Sequence, residues 1–453
     1  MSLKNFCILP FMHLATTTEG NCRLCCKVSR HDVIKDDNGV PFNVNTHSID
    51  QIWNSQHYKN VRQRMLKDER LPECKICFEE EDTFYSKWQK GNAKDLPSKR
   101  RKENQKWLHV EKTKIKDEWN NIINSPSIRY YDIRLSNLCN LKCRMCWPNF
   151  SSQIVKEQKE FASQGMPTWY KDYDVPEWSS KNIMQGISEN LIAIEEITFV
   201  GGEPTLHDDM YELLTKLVNA EVSKNIRLKL TSNLTNIQQR FLDMIPLFKD
   251  VVINGSIDGV NTTNEYIRYP SNWSAIEKNI NKILAIPEVH LNLTPVIQIY
   301  NIFNIFDMTH WYMEKWIDTQ KGPKFTLNYD LLYDPNYLSI KMLNNKGKHK
   351  WYENYYTPTI EYLDDIIDNV DTMNETVSNY WRVILTLRKR IVNIALYAEV
   401  LGFDKDKGKW LYWFKDTQQN ELTEKLHAYT YQLDNHRKQN IKDLIPDFNE
   451  MTL

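Results

Sequence analysis

The order of apolar and polar positions separates a periodic middle part of the chain from its two ends. From about residue 127, short apolar runs alternate with stretches in which apolar residues recur every three or four positions. The apolar runs predict strands at Ile128–Arg134, Ile197–Val200, Arg227–Thr231, Val251–Ser256, Leu291–Ile299 and Phe325–Tyr329. The stretches between them predict helices, among them Asp208–Ala220, Ile237–Leu247, Trp273–Ala285 and Ile305–Ile317. Repeated strand–helix units indicate an α/β fold with a parallel sheet, whose functional loops follow the carboxyl ends of the strands.

The two ends of the chain have different patterns. Before the periodic part, a helical pattern covers Ser48–Leu66, and a polar, basic tract follows. After about residue 333 the pattern is helical, at Thr357–Val370, Val377–Val400 and Gln419–Leu433. We therefore expect a small N-terminal module (1–82), a basic linker or helical connection (83–126), an α/β core (127–332) and a mainly helical C-terminal region (333–453).

Charge and hydropathy exclude several classes of protein. The chain has 58 Lys and Arg residues against 59 Asp and Glu residues, which disfavours a wholly basic nucleic-acid binder and an acidic disordered chain. The basic tract Lys99–Lys102 fits a solvated face better than a patch for an anionic partner. No apolar run is long enough to span a bilayer, and the N-terminus lacks the pattern of a signal peptide. We expect a cytoplasmic protein that binds neither membrane nor nucleic acid.

The cysteines carry the chemical information. All nine lie at or before Cys146, and such clustering in a cytosolic protein favours metal binding over disulfides. Cys139, Cys143 and Cys146 form a C-x3-C-x2-C triplet directly after the first predicted strand. Three thiolates on one loop can bind three irons of a [4Fe–4S] cluster, which leaves the fourth iron open. A structural zinc site would need a fourth ligand, and an electron carrier of ferredoxin type would need four cysteines.

The triplet at the end of a first strand resembles the signature of the radical SAM superfamily. A second match follows one strand later, where Ile197–Val200 leads into Gly201-Gly202-Glu203-Pro204, similar to the GGE motif of that family. The resemblance implies a partial (β/α)6 TIM-like barrel. It implies that S-adenosylmethionine (SAM) binds the open iron, and that Gly201, Gly202 and Glu203 hold its amino group. Met145 replaces the usual aromatic residue before the last cysteine, which weakens one expected adenine contact that the backbone at this position could still supply.

Further segments resemble SAM contacts of the same family at later strand ends. Ser232 and Asn233 end the third strand, and Ser256 and Asp258 end the fourth strand, with Arg268 following. The resemblance makes Ser256 and Arg268 candidates for the SAM carboxylate and ribose. Val296 and Ile297, on the fifth strand, are candidates to flank the adenine. Ordinary strand-end turns are the alternative for each of these residues.

The N-terminal cysteines resemble the SPASM and twitch modules of radical SAM enzymes, which bind auxiliary iron–sulfur clusters. In that pattern a ligand cysteine lies five residues after a glycine, and Gly20 then selects Cys25, with Cys26 as its rival. The implied ligands of one auxiliary [4Fe–4S] cluster are Cys7, Cys25, Cys74 and Cys77. Cys22 falls at an apolar strand position. These modules usually follow the barrel, so an N-terminal module must fold back onto it. A zinc site of the same four cysteines is the alternative.

The resemblance implies an enzyme that reductively cleaves SAM to a 5′-deoxyadenosyl radical and abstracts hydrogen from a substrate. It would need an external one-electron reductant of flavodoxin or ferredoxin type. A peptide that is oxidised or cross-linked is the first expectation, and oxidation or rearrangement of a small metabolite or sugar is the second. A non-catalytic iron–sulfur electron-transfer or scaffold protein and a zinc-stabilised nucleic-acid binder are alternatives of other classes.

Two further features are candidates for substrate contact. Polar residues near strand ends could line the substrate site or only cap and pack the strands: Tyr300, Asn301, Asn328 and Asp330. The insertion Gly165–Trp178 contains four aromatic residues and could be an active-site lid or a surface loop.

Overall fold

The computed structural model describes residues 5–29, 32–82, 103–104, 106, 126–171, 181–369, 375–404, 409–412 and 420–452. The basic tract Lys99–Lys102, most of the predicted linker, and Tyr173 and Trp178 of the insertion lie outside the described residues.

Twelve strands are described. They are β1 (His13–Thr16), β2 (Cys22–Arg23), β3 (Tyr130–Arg134), β4 (Glu196–Val200), β5 (Arg227–Ser232), β6 (Asp250–Gly255), β7 (Val289–Leu293), β8 (Val296–Ile297), β9 (Phe325–Leu327), β10 (Asp330–Leu331), β11 (Leu401–Asp404) and β12 (Lys409–Tyr412). One sheet has eight of them in the order β2-β1-β3-β4-β5-β6-β7-β9. The pairs β1–β3, β3–β4, β4–β5 and β7–β9 are parallel, and β1–β2 is antiparallel. This mostly parallel sheet with helices between its strands confirms the α/β fold class.

The strand predicted at Leu291–Ile299 is wrong as a single element. The structure divides it into β7 and β8, with Thr294 and Pro295 between them. Proline has no backbone N–H to donate to a neighbouring strand, which accounts for a break here. Strand β8 instead pairs in parallel with β10 in a separate two-stranded sheet.

The N-terminal module adds a strand to the core sheet. His13, Leu14 and Ala15 of β1 are in register with Tyr130, Tyr131 and Asp132 of β3. At the end of β3, Nη1 of Arg134 donates a hydrogen bond to the Thr16 carbonyl at 2.9 Å. The N-terminal segment therefore folds back onto the first predicted strand, as its position before the core required.

The helices described in the N-terminal part and the core include the four predicted in the core, each with ends within three residues of the prediction. They are Ile49–Trp53, Gln56–Leu66, Lys75–Asp82, Ser152–Ser163, Lys181–Ser188, Asp208–Asn219, Gln239–Met244, Asn261–Ile267, Trp273–Leu284 and Ile305–Thr319. The predicted helix Ser48–Leu66 is in fact two helices. Ser48 caps the first, and Ser55 starts the second because its hydroxyl accepts a hydrogen bond from the Tyr58 N–H.

Helix Trp273–Leu284 shows how the sequence specifies a helix locally. The Asn272 side chain caps its first turn by accepting a hydrogen bond from the Ala275 N–H at 2.9 Å. Ile276, Ile280 and Ile283 follow at spacings of four and three, and all three are fully buried. The helix therefore buries one apolar stripe and leaves its other side polar.

Among its described residues, the C-terminal region is mainly helical and contains one hairpin. Its helices are Asn345–Trp351, a π-helical turn at Tyr352–Tyr356, Thr357–Asn369, Glu375–Tyr397, Asn420–Arg437, Ile441–Leu444 and Phe448–Thr452. Strands β11 and β12 form an antiparallel pair that the sequence pattern did not predict. Helix Thr357–Asn369 buries Thr359 and Leu363, and it pairs with Glu375–Tyr397 through a bidentate Asp364–Arg388 ion pair.

The chain has two compact units. The first contains Met1–Cys139, Asp174–Thr231 and Asp243–Val251, and the second contains Asn140–Tyr173, Ser232–Leu242 and Val252–Leu453. Within the described residues, none of the helices combines the length and the apolar character needed to cross a membrane.

Candidate cluster and cofactor sites

Gly201 and Gly202 lie at the end of β4, where their backbone packs directly on residues 134–138. Gly201 has φ +121°, and a Cβ built on it would lie 2.9 Å from the Ser136 carbonyl oxygen. A Cβ on Gly202 would lie 2.1 Å from the Leu138 carbonyl oxygen. Only glycine fits both positions, so this backbone can approach the segment leading into Cys139 as closely as it does.

Hydrogen bonds join the same two segments. The Gly202 N–H donates to the Ser136 carbonyl at 2.9 Å, and the Glu203 N–H donates to the Leu138 carbonyl at 2.7 Å. The Glu203 side chain is fully buried, and its Oε1 accepts hydrogen bonds from the N–H and the hydroxyl of Thr205. Pro204 is buried and opens a 3-10 turn that ends at Leu206. The glutamate is thus held in a fixed conformation directly after the glycines.

The cysteine triplet follows β3. Cys139 belongs to the first unit, and Cys143 and Cys146 belong to the second. Cys139 and Cys143 are buried, and Cys146 and Met145 are half-buried. The N–H groups of Lys142 and Arg144 donate to the carbonyls of Tyr269 and Ile267, at 2.8 and 2.9 Å. The backbone of the loop is therefore fixed on both sides of Cys143.

Arg268 lies beside Cys143. Its Nη1 is 3.9 Å from the Cys143 Sγ, and its Nε is 2.7 Å from Oδ2 of the fully buried Asp258. Burial raises the pKa of the Cys143 thiol, and Arg268 opposes that rise because a cation stabilises the thiolate. Burial likewise raises the pKa of Asp258, against the effect of Arg268. Oδ1 of Asp258 accepts a hydrogen bond from the Val296 N–H at 2.8 Å.

The remaining candidate SAM residues of the second unit form two hydrogen-bonded groups. Asn233 donates to Asn140 at 2.9 Å, next to Cys139 in the sequence, and the Ser232 carbonyl accepts from the Ser256 N–H at 2.8 Å. Val296 is half-buried, Ile297 is buried, and both belong to β8. Their roles toward SAM stay predictions.

The four predicted auxiliary ligands line one small pocket. Cys7, Cys25, Cys74 and Cys77 share it with five other residues: Leu9, Lys27, Val28, Glu73 and Ile76. Burial raises the pKa of Cys7 well above its ordinary value, and Cys25, Cys74 and Cys77 add to that rise as neighbouring negative charges. Burial also raises the pKa of Cys25 to about 12, with Cys26 as the next cause. The structure thus brings the predicted set together and places Cys25, rather than Cys26, in the pocket lining.

The chain around Cys7 is fixed by the short described part of the linker. Oδ1 of Asn104 accepts from the Ile8 N–H at 2.9 Å, and its Nδ2 donates to the Phe6 carbonyl at 2.8 Å. Cys22 lies in β2, fully buried, and burial raises its pKa to about 12. Cys22 therefore fills a core position, as its place in the sequence pattern predicted.

Most of the residues predicted to contact substrate make hydrogen bonds within the protein. Tyr300 is buried, and its hydroxyl lies 2.7 Å from that of Thr430. Asn301 is fully buried, and its amide donates to the carbonyls of Asp258 and Val296. Asn328 donates to Thr326, and Asp330 is exposed in β10. The contacts of Tyr300 and Asn301 favour the structural alternative for these two residues.

The described part of the aromatic insertion packs against its surroundings. The Tyr170 hydroxyl donates to the Cys146 carbonyl at 2.6 Å, and the Tyr170 ring lies 5.2 Å from that of Trp147. Trp169 packs edge-on against Tyr429 at 4.9 Å. Residues 169–170 are therefore part of the support of the cysteine loop, and a lid function stays a prediction.

The donor chemistry fits iron–sulfur clusters. In the part of the chain that the structure describes, no three His, Cys, Asp or Glu side chains are close enough to chelate one metal ion, and no disulfide links the cysteines. Each cysteine of a [4Fe–4S] cluster binds a different iron, so its thiols need not approach one another as closely as the ligands of a single metal ion do. The cation beside Cys143 is consistent with a thiolate ligand of an anionic cluster.

Comparison with known proteins identifies both parts of the molecule. Residues 133–301 match the family model of the radical SAM superfamily, and residues 7–78 match that of the SPASM iron–sulfur cluster-binding domain. The molecule is therefore an α/β protein with a SAM-dependent iron–sulfur core. The chain contains a radical SAM domain and an N-terminal SPASM module, and these domains imply SAM and [4Fe–4S] clusters as cofactors.

Solved structures give more distant matches. SuiB from Streptococcus suis bound to S-adenosylmethionine matches at 15% identity and a TM-score of 0.33, over 53% of this chain and 48% of that chain. SuiB bound to its precursor peptide SuiA matches at 13% identity and a TM-score of 0.34, over 65% of this chain and 58% of that chain. The methyltransferase TsrM from Kitasatospora setae matches at 10% identity and a TM-score of 0.26, over 43% of this chain and 32% of that chain. The chain spans about half the length of SuiB. No curated protein sequence matches.

Sequence reasoning missed the residues that support the cysteine loop from the C-terminal region. Arg144 lies inside the triplet, is fully buried, and has an ion pair with Asp434. An arginine between two predicted cluster ligands could have been singled out. Its partner could not, because Asp434 lies 290 residues away in a C-terminal helix that carries no recognisable motif.

Proposed function

We propose that this protein is an enzyme that uses SAM and a [4Fe–4S] cluster held by Cys139, Cys143 and Cys146 to abstract hydrogen from a peptide substrate. When bound, the reduced cluster and SAM supply a 5′-deoxyadenosyl radical, and the protein binds, orients and shields the reactants. The proposal includes an external one-electron reductant of flavodoxin or ferredoxin type and a cytoplasmic location.

One observation carries the proposal most directly. The glycine segment at 201–202 fits against the segment leading into Cys139 so closely that a side chain at either position would collide with backbone. An electron carrier or scaffold needs the cysteines but no such approach of a second strand end. A glycine backbone fitted this closely to the residues that precede Cys139 supports catalysis over the non-catalytic alternative.

The chain's own residues have distinct tasks in this proposal. Glu203, held by Thr205, accepts hydrogen bonds from the SAM ammonium group. Arg268 offsets negative charge at Cys143. Cys7, Cys25, Cys74 and Cys77 would hold the auxiliary cluster, which could supply an acceptor for an electron from the substrate.

A peptide is the proposed substrate class because SPASM modules are associated with peptide modification. An oxidative modification removes two hydrogens from the peptide. One would leave as a hydrogen atom and the other as a proton, and the remaining electron would need an acceptor, which a cluster held by Cys7, Cys25, Cys74 and Cys77 would supply. A small metabolite or sugar is the second candidate. Co-expression with short peptides encoded beside the gene, followed by mass spectrometry, distinguishes the two: loss of two hydrogens from a peptide supports the first.

The test of the catalytic proposal is anaerobic reconstitution with iron counting and a SAM-cleavage assay. Two [4Fe–4S] clusters predict about eight irons per chain. With dithionite and SAM, the protein should form 5′-deoxyadenosine. The triple variant Cys139→Ala, Cys143→Ala and Cys146→Ala should form none and retain about four irons. Cys22→Ala, which removes a thiol from the core, is the matched control and should keep both cleavage and iron.

Three outcomes contradict parts of the proposal. Failure of the parent protein to form 5′-deoxyadenosine, with both clusters present, excludes SAM cleavage and favours an electron-transfer role. About four irons with cleavage retained removes the auxiliary cluster. Zinc in place of iron at Cys7, Cys25, Cys74 and Cys77 establishes the structural zinc alternative for that site.

A further inference from the structure

The C-terminal helix Asn420–Arg437 contacts the loop that carries Cys143 and Cys146, and both belong to the second unit. One contact is the ion pair between Arg144 and Asp434, whose Nη2 and Oδ1 are 2.5 Å apart. The exposed fraction of the side chain is 0% for Arg144 and 5% for Asp434. A helix without a role in the sequence-derived prediction therefore supplies the counter-charge of a residue between two predicted cluster ligands.

Asp434 joins three parts of the second unit. Besides Arg144, its Oδ1 accepts from the Tyr266 hydroxyl at 2.9 Å, and its Oδ2 accepts from the Ile441 N–H at 2.7 Å. The Arg144 guanidinium also lies 3.7 Å from the centre of the Tyr266 ring, and its Nη2 donates to Gln439 at 2.9 Å. The carboxylate is thus the centre of a buried polar network around Arg144.

The same helix makes two more contacts with this part of the chain. The Tyr429 hydroxyl donates to the backbone carbonyl of Arg144. Arg437 forms a bidentate pair with Glu157, at 2.9 and 2.7 Å. Glu157 in turn is 3.0 Å from the Lys142 ammonium. The helix therefore contacts the main chain and the side chain of Arg144 directly, and it is linked to the Lys142 side chain through Glu157.

We propose that Asp434, with Tyr429, positions the loop 140–146 and thereby determines how firmly the SAM-binding cluster is held; the inference rests on the proposed function of that loop. Burying a guanidinium without a paired carboxylate is energetically unfavourable. Without Asp434, Arg144 would therefore have to move toward water, and the backbone of the loop would move with it. Residues that orient metal ligands through such contacts affect metal retention without touching the metal.

The experiment compares cluster loss in Asp434→Asn and Tyr429→Phe with that in the parent holoprotein. Asn keeps the size of the side chain and removes the charge, and Phe removes only the hydroxyl. A chelator is added anaerobically, and iron release is followed by the loss of iron–sulfur absorbance. The phase that is absent from the Cys139→Ala, Cys143→Ala, Cys146→Ala variant belongs to the SAM-binding cluster.

We expect Asp434→Asn to accelerate that phase by about tenfold or more and to leave the auxiliary phase unchanged. Tyr429→Phe should act in the same direction and less strongly, since the Arg144–Asp434 pair remains. The control is Asp364→Asn, which removes the carboxylate of another aspartate–arginine pair in the C-terminal region, with Arg388 at 2.5 and 2.9 Å. It should alter neither phase.

A second measurement separates positioning from general stability. Hydrogen–deuterium exchange of residues 140–146 should rise in Asp434→Asn and stay unchanged in Asp364→Asn, while exchange in β3 and β4 stays as in the parent. Equal acceleration of both iron phases, or no acceleration in Asp434→Asn, overturns the inference. If the parent lacks the phase assigned to the triplet, the proposed cluster fails, and the exchange of residues 140–146 alone decides whether Asp434 positions the loop.

Discussion

The guanidinium of Arg268 lies between a predicted cluster ligand and a carboxylate, with Nη1 3.9 Å from the Cys143 Sγ and Nε 2.7 Å from Asp258. The arginine is buried, so its charge is little screened by water. A cation and an N–H donor near a cluster sulfur both favour the reduced, more negative state of the cluster.

Arg268→Gln should therefore make the SAM-binding cluster harder to reduce. We expect its potential to become more negative, on the order of tens of millivolts, in a titration followed by electron paramagnetic resonance. Arg64→Gln, which removes an exposed arginine paired with Glu69, is the control and should leave the potential unchanged. Weakened SAM binding with an unchanged potential would instead support the role that the family resemblance implies for Arg268, a contact with SAM itself.

Gly201→Ala should destabilise the protein and weaken SAM binding. A left-handed backbone costs about 1–3 kcal/mol for a residue with a side chain, and at Gly201 the new Cβ also lies 2.9 Å from a carbonyl oxygen. Gly39→Ala is the matched control, because Gly39 has φ +81° and no atom within 4 Å of its added Cβ. Urea unfolding should show a larger loss in the free energy of unfolding for Gly201→Ala than for Gly39→Ala. Equal losses would mean that the close approach to Ser136 is not required.

Glu157 makes part of the stability of the second unit depend on pH. Burial by itself raises the pKa of Glu157, but Arg437 and Lys142 outweigh it and hold the pKa below its ordinary value. Its contribution is therefore fully present above the unfolded pKa of about 4.3 and is lost as the pH falls through the lower folded pKa. Glu157→Gln should lower the free energy of unfolding by about 3–5 kcal/mol at neutral pH.

The measurement for Glu157 is urea unfolding of parent and variant at a series of pH values. The difference between them should shrink as the solution becomes more acidic than the folded pKa. Glu69→Gln removes an exposed partner of Arg64 and should change the free energy of unfolding by only about 0–1 kcal/mol. A difference for Glu157→Gln that does not depend on pH would show that packing, rather than charge, accounts for the loss.

Cys25 and Cys26 can be distinguished by iron content. Cys25 lines the pocket with Cys7, Cys74 and Cys77, so Cys25→Ala should lower the iron from about eight to about four per chain. Cys26→Ala should retain about eight, and SAM cleavage by the triplet should be measurable in both variants. The reverse pattern would make Cys26 the ligand and would require the segment after β2 to rearrange.

Much of the fold follows from local pattern. The predicted core strands lie within two residues of β3, β4, β5, β6 and β9, because alternating apolar runs and amphipathic helices are determined by neighbouring residues. The prediction of one strand at Leu291–Ile299 was wrong because the segment contains Pro295. Proline lacks the N–H that a strand interior needs, and the apolar pattern alone does not show this. The hairpin of β11 and β12 was missed within a region whose overall pattern is helical.

The sequence by itself indicated the cofactor class of this protein. The cysteine spacing, the glycine pair and the strand–helix order indicate a radical SAM domain, because they depend on a few residues close together in the chain. Only the tertiary structure decided which distant groups support that chemistry. Arg144 meets Asp434 across 290 residues, and Asn104 reaches the chain beside Cys7 across 96 residues. Such pairs leave no periodic signal, since each is created by the packing of whole elements and satisfies a polar group that burial would otherwise leave without its partner.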